Sequence, residues 1–389
     1  MKLTSRQRVL KAINHEEPDR IPIDIGGTLI TTIHKTAHRN LMDYLGFPNS
    51  GEDLYDIIQQ AVRPDPRILD RFGNDCYCIL PGFSNDWSLE ITSDPQGSYF
   101  TDEWGVIYKK PYGGFYFDVY KSPLSNATAA DLKCFSFPNG RDHGRVKNLR
   151  SRTRKIFNET EYALIMSDGT WGIMQHTAIL LGFERYYDCF STDLSFLLNV
   201  MEKVLEFEFA YMDTVLPEVK DYVQIVSTSD DLGTQSGPMI NPEIYREWIK
   251  PLHKSLIEHI KRRCDAKIFF HSCGAISQFI PDLIEIGVDI LNPVQVSANK
   301  MDSKKLKSEY GKDITFWGGG CDTQGVLPRG TPKDVRTEVL NRITDFAPGG
   351  GFVFCPVHNI QPEVPPANLV SMYDTLLDHG HYPLKFEGA

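Results

Sequence analysis

Lys267-Ile268-Phe269-Phe270-His271-Ser272-Cys273-Gly274 runs from apolar, β-prone residues straight into a histidine, a cysteine two positions on, and a glycine. The apolar run reads as a buried strand, and residues 275–286 have the spacing of a following helix. Such a strand delivers an imidazole and a thiol to its C-terminal end. Two later runs end in a similar way. Ile314-Thr315-Phe316-Trp317 leads to Gly318-Gly319-Gly320-Cys321-Asp322, and Gly351-Phe352-Val353-Phe354 leads to Cys355-Pro356-Val357-His358. As parallel neighbours, these strands bring their ends to one rim. Sulfur and nitrogen donors gathered from separate strand ends are what a Zn²⁺ site needs.

Outward from this stretch, strand and helix signals alternate. Residues 4–13 repeat apolar residues at helical spacing behind Thr4 or Ser5 as a cap, and predict an N-terminal helix. Strands are expected at 21–27, 76–80, 162–166, 223–226, 267–271, 289–291, 314–317 and 352–354. Helices are expected at 33–46, 54–60, 141–158, 172–181, 194–216 and 241–263. Eight strands separated by helices predict an α/β fold, a (β/α)₈ TIM barrel with an N-terminal helical extension. Between about 84 and 124 the texture becomes aromatic and β-branched, with turn signals at Asp94-Pro95-Gln96-Gly97, Glu103-Trp104-Gly105 and Tyr112-Gly113-Gly114. This predicts an antiparallel β insertion in a single domain spanning 1–389. Its expected role is a lid or a dimer surface rather than substrate contact, and a homodimer is compatible with it.

Hydrophobic residues make up 41% of the 389 and charged residues 24%, enough apolar surface for a sizeable core. A net charge of −10 argues against nucleic acid as a partner, and against a strongly anionic substrate without a local basic cluster. Residues 1–6 carry charges where a leader needs its apolar run, and no stretch reaches the ~18 apolar residues of a membrane span. A cytoplasmic protein with no membrane partner is expected. Its eight cysteines lack the spacing of a disulfide framework. Cys134, Cys189 and Cys264 read as filler, and Cys76 and Cys78 share one strand face, which suits core packing.

His271 and Cys273, two apart on an extended chain, both reach the same side of the strand end. Taken alone, the pair is more simply a buried histidine beside a core thiol; donors at later strand ends tip the balance toward a metal. For a third ligand Cys355 ranks first, His358 next and Cys321 last. Asp230 and Asp231 offer an oxygen ligand or a general base, or else cap a helix. Asp24, His34 and His38 follow the first strand, and Ser167-Asp168-Gly169-Thr170-Trp171 follows the third. On a barrel both groups face the rim where active sites form. Asp24, His34 and Trp171 are candidates for substrate binding, and Asp168 and Asp231 for catalysis. Gly318-Gly319-Gly320 lacks a phosphate-binding frame and suits close backbone approach. Gly349-Gly350-Gly351 precedes its strand, at the opposite face.

Asn14-His15-Glu16-Glu17-Pro18-Asp19-Arg20-Ile21-Pro22, Asp230-Asp231-Leu232-Gly233-Thr234-Gln235, His271-Ser272-Cys273-Gly274 and Pro356-Val357-His358-Asn359-Ile360 resemble the uroporphyrinogen decarboxylase superfamily, in particular its branch of zinc-dependent, corrinoid-linked methyltransferases. The resemblance spans nearly the whole chain and implies a (β/α)₈ barrel with its site at the C-terminal rim. Decarboxylases of that superfamily carry an arginine-rich element after the first strand. Here residues 25–32 read Ile-Gly-Gly-Thr-Leu-Ile-Thr-Thr, which gives porphyrinogen carboxylates no partner. The resemblance implies Zn²⁺ on His271, Cys273 and a distant cysteine. It also implies a corrinoid (cobalamin) carried by a partner protein, and a small methyl donor (methyl ether or methylamine type) or a thiol acceptor. A cofactor-independent decarboxylase and a non-catalytic binding barrel are the alternatives.

Overall fold

Strands covered on both faces must be apolar throughout, which is why the barrel strands read as unbroken hydrophobic runs. The computed structural model describes residues 2–48, 51–168 and 170–385. In it, Cys76–Ile79, Ala163–Met166, Ile225–Ser229, Lys267–His271, Ile290–Asn292, Thr315–Trp317 and Phe352–Val353 form one parallel sheet, each strand beside the next in chain order. Residues 21–25 close the ring. The Phe354 N–H donates to Pro22 O and the Asp24 N–H to Phe354 O, both at 2.9 Å, and the Asp75 N–H donates to Ile23 O at 2.8 Å. The architecture is a TIM-like α/β barrel.

Helix Ser5–Ile13 starts with a capping box between Thr4 and Gln7. Its buried Val9, Ala12 and Ile13 pack on Ala163, Ile225, Phe269 and Val353, and the Gly351 N–H donates to Ala12 O at 2.8 Å. The helix thereby shuts the N-terminal end, and reactive groups collect at the other. Pairing in register sets Ser229 beside His271 and His271 beside Asn292 at that other rim.

The insertion is a four-stranded antiparallel sheet, Thr92–Asp94, Gly97–Thr101, Ile107–Pro111 and Asp118–Lys121. Stacked Phe100 and Tyr108 and edge-on Phe117 give it an aromatic core of its own. Two expected helices differ. Leu54–Asp56 is a strand in a small three-stranded sheet, because Asp56 accepts the Ile58 and Gln59 N–H groups and turns the chain. The expected helix at 141–158 is a 3₁₀ turn, His143–Val146, followed by helix Leu149–Glu159. No helix among the described residues is long and apolar enough to cross a membrane.

Candidate active site

The ends of four barrel strands with the turns that follow them, and three loops, enclose a cavity of about 480 Å³ at the C-terminal rim. His271 and His358 both line it, with ring centroids 5.5 Å apart. Cys273 Sγ lies 3.4 Å from His271 Nε2. One donor atom from each of His271, Cys273 and His358 falls within 4.8 Å of the other two.

Asn292 decides which imidazole nitrogen faces that group. Its Nδ2 donates to Trp317 O at 2.8 Å, so its Oδ1 is turned toward His271 Nδ1 at 2.6 Å. His271 therefore donates from Nδ1, and Nε2 keeps its lone pair. A ligating histidine commonly has such a partner behind it. Asp231 stands alongside, accepting the Cys273 N–H at 2.7 Å with Oδ1 3.9 Å from His271 Nε2. The tight approach of two loops permits this bond. Gly274 has φ +89°, and a Cβ there would collide with the Gly233 backbone.

Without a cation these donors stay neutral. Burial lowers the His271 pKa, and burial and then His271 push His358 down to about 3. Burial and the Asp231 carboxylate push the Cys273 thiol well up. Two neutral imidazoles and a thiol beside a carboxylate match the donor chemistry of Zn²⁺. Three protein ligands are also the number that a catalytic zinc site uses, keeping a fourth position open.

Asp168 lines the same cavity. Ser227 Oγ donates to its Oδ1 at 3.3 Å and Ser229 Oγ to its Oδ2 at 3.2 Å. Burial outweighs these bonds and holds its pKa up at about 7, so the carboxyl keeps its proton over much of the acidic range and gives it up through neutrality. Trp171 also lines the cavity, while Gly169 lies outside the described residues. Gly172 starts the next helix at φ +92°, where a Cβ would collide with the Ser229 carbonyl.

Six other sequence candidates lie outside the cavity lining. Cys355, ranked first as third ligand, is fully buried in the apolar barrel interior with Phe269, Ile290 and Val353, and is not in the donor group. His358, ranked second, supplies the third donor atom of that group. Cys321 is also buried, donating to Glu338 Oε2 at 3.5 Å. Asp24 is enclosed, accepting Trp317 Nε1–H at 2.8 Å and the Gly27 N–H at 2.6 Å; burial raises its pKa to about 6. His34 caps helix Lys35–Tyr44, its Nδ1 accepting the Thr36 N–H at 3.1 Å, and does not line the cavity. His38 accepts the Asp65 N–H at 3.0 Å. Asp230 caps the helix behind Trp171, accepting the Met174 and Gln175 N–H groups at 2.8 Å and meeting His253 Nε2 at 2.8 Å.

Sequence reading missed Asn292 and Glu208. Glu208 is buried on helix Leu194–Val219, hydrogen-bonded by Thr170 Oγ1, and desolvation lifts its pKa to about 8. Its sequence signal is a lone acid on the stripe Val204, Glu208, Tyr211, Val215.

Residues 127–379 match the family described as uroporphyrinogen decarboxylase (URO-D). Among solved structures, a methyltransferase from Methanosarcina mazei superposes with a TM-score of 0.66 at 16% identity, covering 97% of this chain and 99% of that one. A GH113 β-1,4-mannanase complex gives a TM-score of 0.38 at 10% identity over 91% of this chain and 98% of its own. No curated protein matches by sequence.

Proposed function

The chain belongs to the uroporphyrinogen decarboxylase family, and from that premise we propose that it is a zinc-dependent methyltransferase. In this reading it moves a methyl group between a small methylated substrate or thiol acceptor and the cobalt of a corrinoid held by a separate protein. The observation that carries the proposal is the convergence of donor atoms from His271, Cys273 and His358 within 4.8 Å of one another, His271 and His358 lining the cavity. The likeness in fold to the Methanosarcina mazei methyltransferase supports it.

Zn²⁺ held by these three residues would supply Lewis acidity to the heteroatom that carries or accepts the methyl group. The chain's own residues do the rest. Asn292 fixes His271 as the Nδ1–H tautomer. Asp231 ties down the Cys273 backbone and presents a carboxylate next to His271. Asp168, its pKa held up at about 7, is partly protonated at neutral pH; that form offers an O–H to a substrate heteroatom, and its proton can pass to the oxygen or nitrogen left behind by the methyl group. Trp171 lines the cavity beside Asp168.

A cofactor-independent decarboxylase is the second reading, favoured by the family match itself. Against it, no arginine or lysine is found among the described residues lining the cavity, where a polycarboxylate needs cations. The test is methyl transfer between cob(I)alamin or methylcobalamin and a panel of methyl ethers, methylamines and thiols. It is run with native protein, chelator-stripped protein and Cys273→Ala. Activity lost on stripping and restored by Zn²⁺ is the expected result. Full activity in stripped protein and in Cys273→Ala would remove zinc from the account.

A further inference from the structure

Glu208 is a buried acid that the chemistry above leaves unused. It sits on helix Leu194–Val219, 2% exposed, and does not line the cavity. Thr170 connects the two. It lines the cavity, its Oγ1 bonds Glu208 Oε1, and the same Oγ1 accepts the Gly172 N–H at 3.2 Å. Glu208 Oε2 has no hydrogen-bond partner among the described residues.

An ionised carboxylate fits this place badly, because a buried charge needs a cation or several donors and Glu208 has one donor. The surrounding groups do not make up the deficit. Arg145, in the turn His143–Val146, favours ionisation, but its Nη1 and Nη2 are committed to Glu103 at 3.0 and 2.6 Å. Asp168 and Asp230, on the strand-end side, oppose it. His176, on the neighbouring helix Ile173–Leu181, is kept neutral by burial, its pKa down at about 3. Tyr211, one turn along from Glu208, keeps its proton, its pKa pushed well up by burial.

A neutral carboxyl resolves the geometry. Its O–H donates to Thr170 Oγ1, and Oε2 becomes a carbonyl oxygen rather than half of a charge. A hydroxyl has one donor and two acceptor positions. Thr170 then accepts from Glu208 and from Gly172, and its own proton is left for the cavity. With Glu208 ionised, that proton turns back to Oε1 and the cavity loses a donor. We infer that Glu208 is a positioning residue whose protonated carboxyl turns the Thr170 hydroxyl into the cavity as a hydrogen-bond donor. Its use in catalysis rests on the methyl-transfer reading; the arrangement itself does not.

The test is a carbon-13 NMR titration of protein labelled at the glutamate carboxyls. Glu208→Gln identifies the resonance, and Thr170→Val keeps the shape of threonine without its hydroxyl. One glutamate carboxyl is expected to titrate near pH 8 and to be missing from Glu208→Gln. Thr170→Val removes the one donor to the ionised form, so the midpoint should rise to about 8.5 or higher. A Glu208 midpoint below about 7, or one that Thr170→Val leaves in place, overturns the inference. In methyl transfer with cob(I)alamin or methylcobalamin, Thr170→Val and Glu208→Ala should each cost about tenfold in kcat/KM. Glu208→Gln, whose amide can donate to Thr170, should recover most of that loss. Thr170→Val as active as native, or Glu208→Gln no better than Glu208→Ala, also overturns the inference. If the titrations come out as expected and even the native protein moves no methyl group, the methyl-transfer reading fails and the Glu208–Thr170 arrangement stands.

Discussion

Two clusters of the same residue types stand one above the other in this barrel. At the rim are Cys273, His271, His358 and Asp231; inside, among apolar side chains, are Cys76, Cys355, Asp24 and Trp317. Both contain thiols and a carboxylate, and in both burial pushes the thiols up. They differ in access and in the groups behind the donors. His271, His358 and Asp231 of the rim set line a cavity, and Asn292 and Asp231 hold His271 and Cys273 in place. Asp24 accepts from Trp317 and the Gly27 N–H, and Cys355 meets Asn292 Nδ2 at 3.9 Å. Depth along the barrel, rather than ligand chemistry, separates a reactive thiol from a packing one.

Substitutions at the two cysteines sharpen this contrast most. Cys273→Ala or His358→Ala should reduce metal affinity beyond the about 10- to 100-fold typical of outer-sphere losses. Cys355→Ala should keep the metal and lower stability by about 1–2 kcal/mol through the small cavity it leaves. Elemental analysis and denaturant unfolding report the two effects separately.

Asn292→Leu comes next. It preserves bulk but frees His271 to adopt the other tautomer, so zinc affinity in a chelator competition should fall about 10- to 100-fold. Affinity unchanged from native would remove Asn292 from the site.

Asp168 gives a smaller, pH-dependent effect. Its folded pKa of about 7 lies above the ordinary carboxyl value, so the folded chain holds a proton that the unfolded chain has already released. Stability contributed at low pH should therefore decline as pH climbs from about 4 to 7, and level off above that. Asp168→Asn should flatten this decline by at least about 1 kcal/mol, measured as urea midpoints across the range. An unaltered pH profile would show that Asp168 does not titrate there. The smallest effect belongs to the far side of the insertion: Tyr112→Ser, at a residue 71% exposed, should shift stability by no more than about 0.5 kcal/mol.

The barrel was legible in the sequence because parallel strands covered on both faces are uniformly apolar, and the one antiparallel stretch announced itself by its turns. The segment Leu54-Tyr55-Asp56-Ile57-Ile58 misled. Its apolar residues have helical spacing, but an Asp56 carboxylate that binds the following N–H groups favours a turn. His271 and Cys273 were legible as a pair on one strand end. The third donor was not. Val353 and Cys355 share a parity that points into the barrel, whereas His358 lies beyond the strand, where alternation no longer predicts direction. Asp24 and His34 failed for a related reason. Spacing shows that a polar residue follows a strand, but not that Trp317 or a helix N-terminus will take it up.

The central claim is that the rim cluster, and not the interior one, holds a metal. Elemental mass spectrometry of native protein, Cys273→Ala and Cys355→Ala, purified side by side without chelator, tests it most directly. The expected result is about one zinc per chain in the native protein and in Cys355→Ala, and none in Cys273→Ala. Zinc retained by Cys273→Ala, or lost from a folded Cys355→Ala, would contradict the claim.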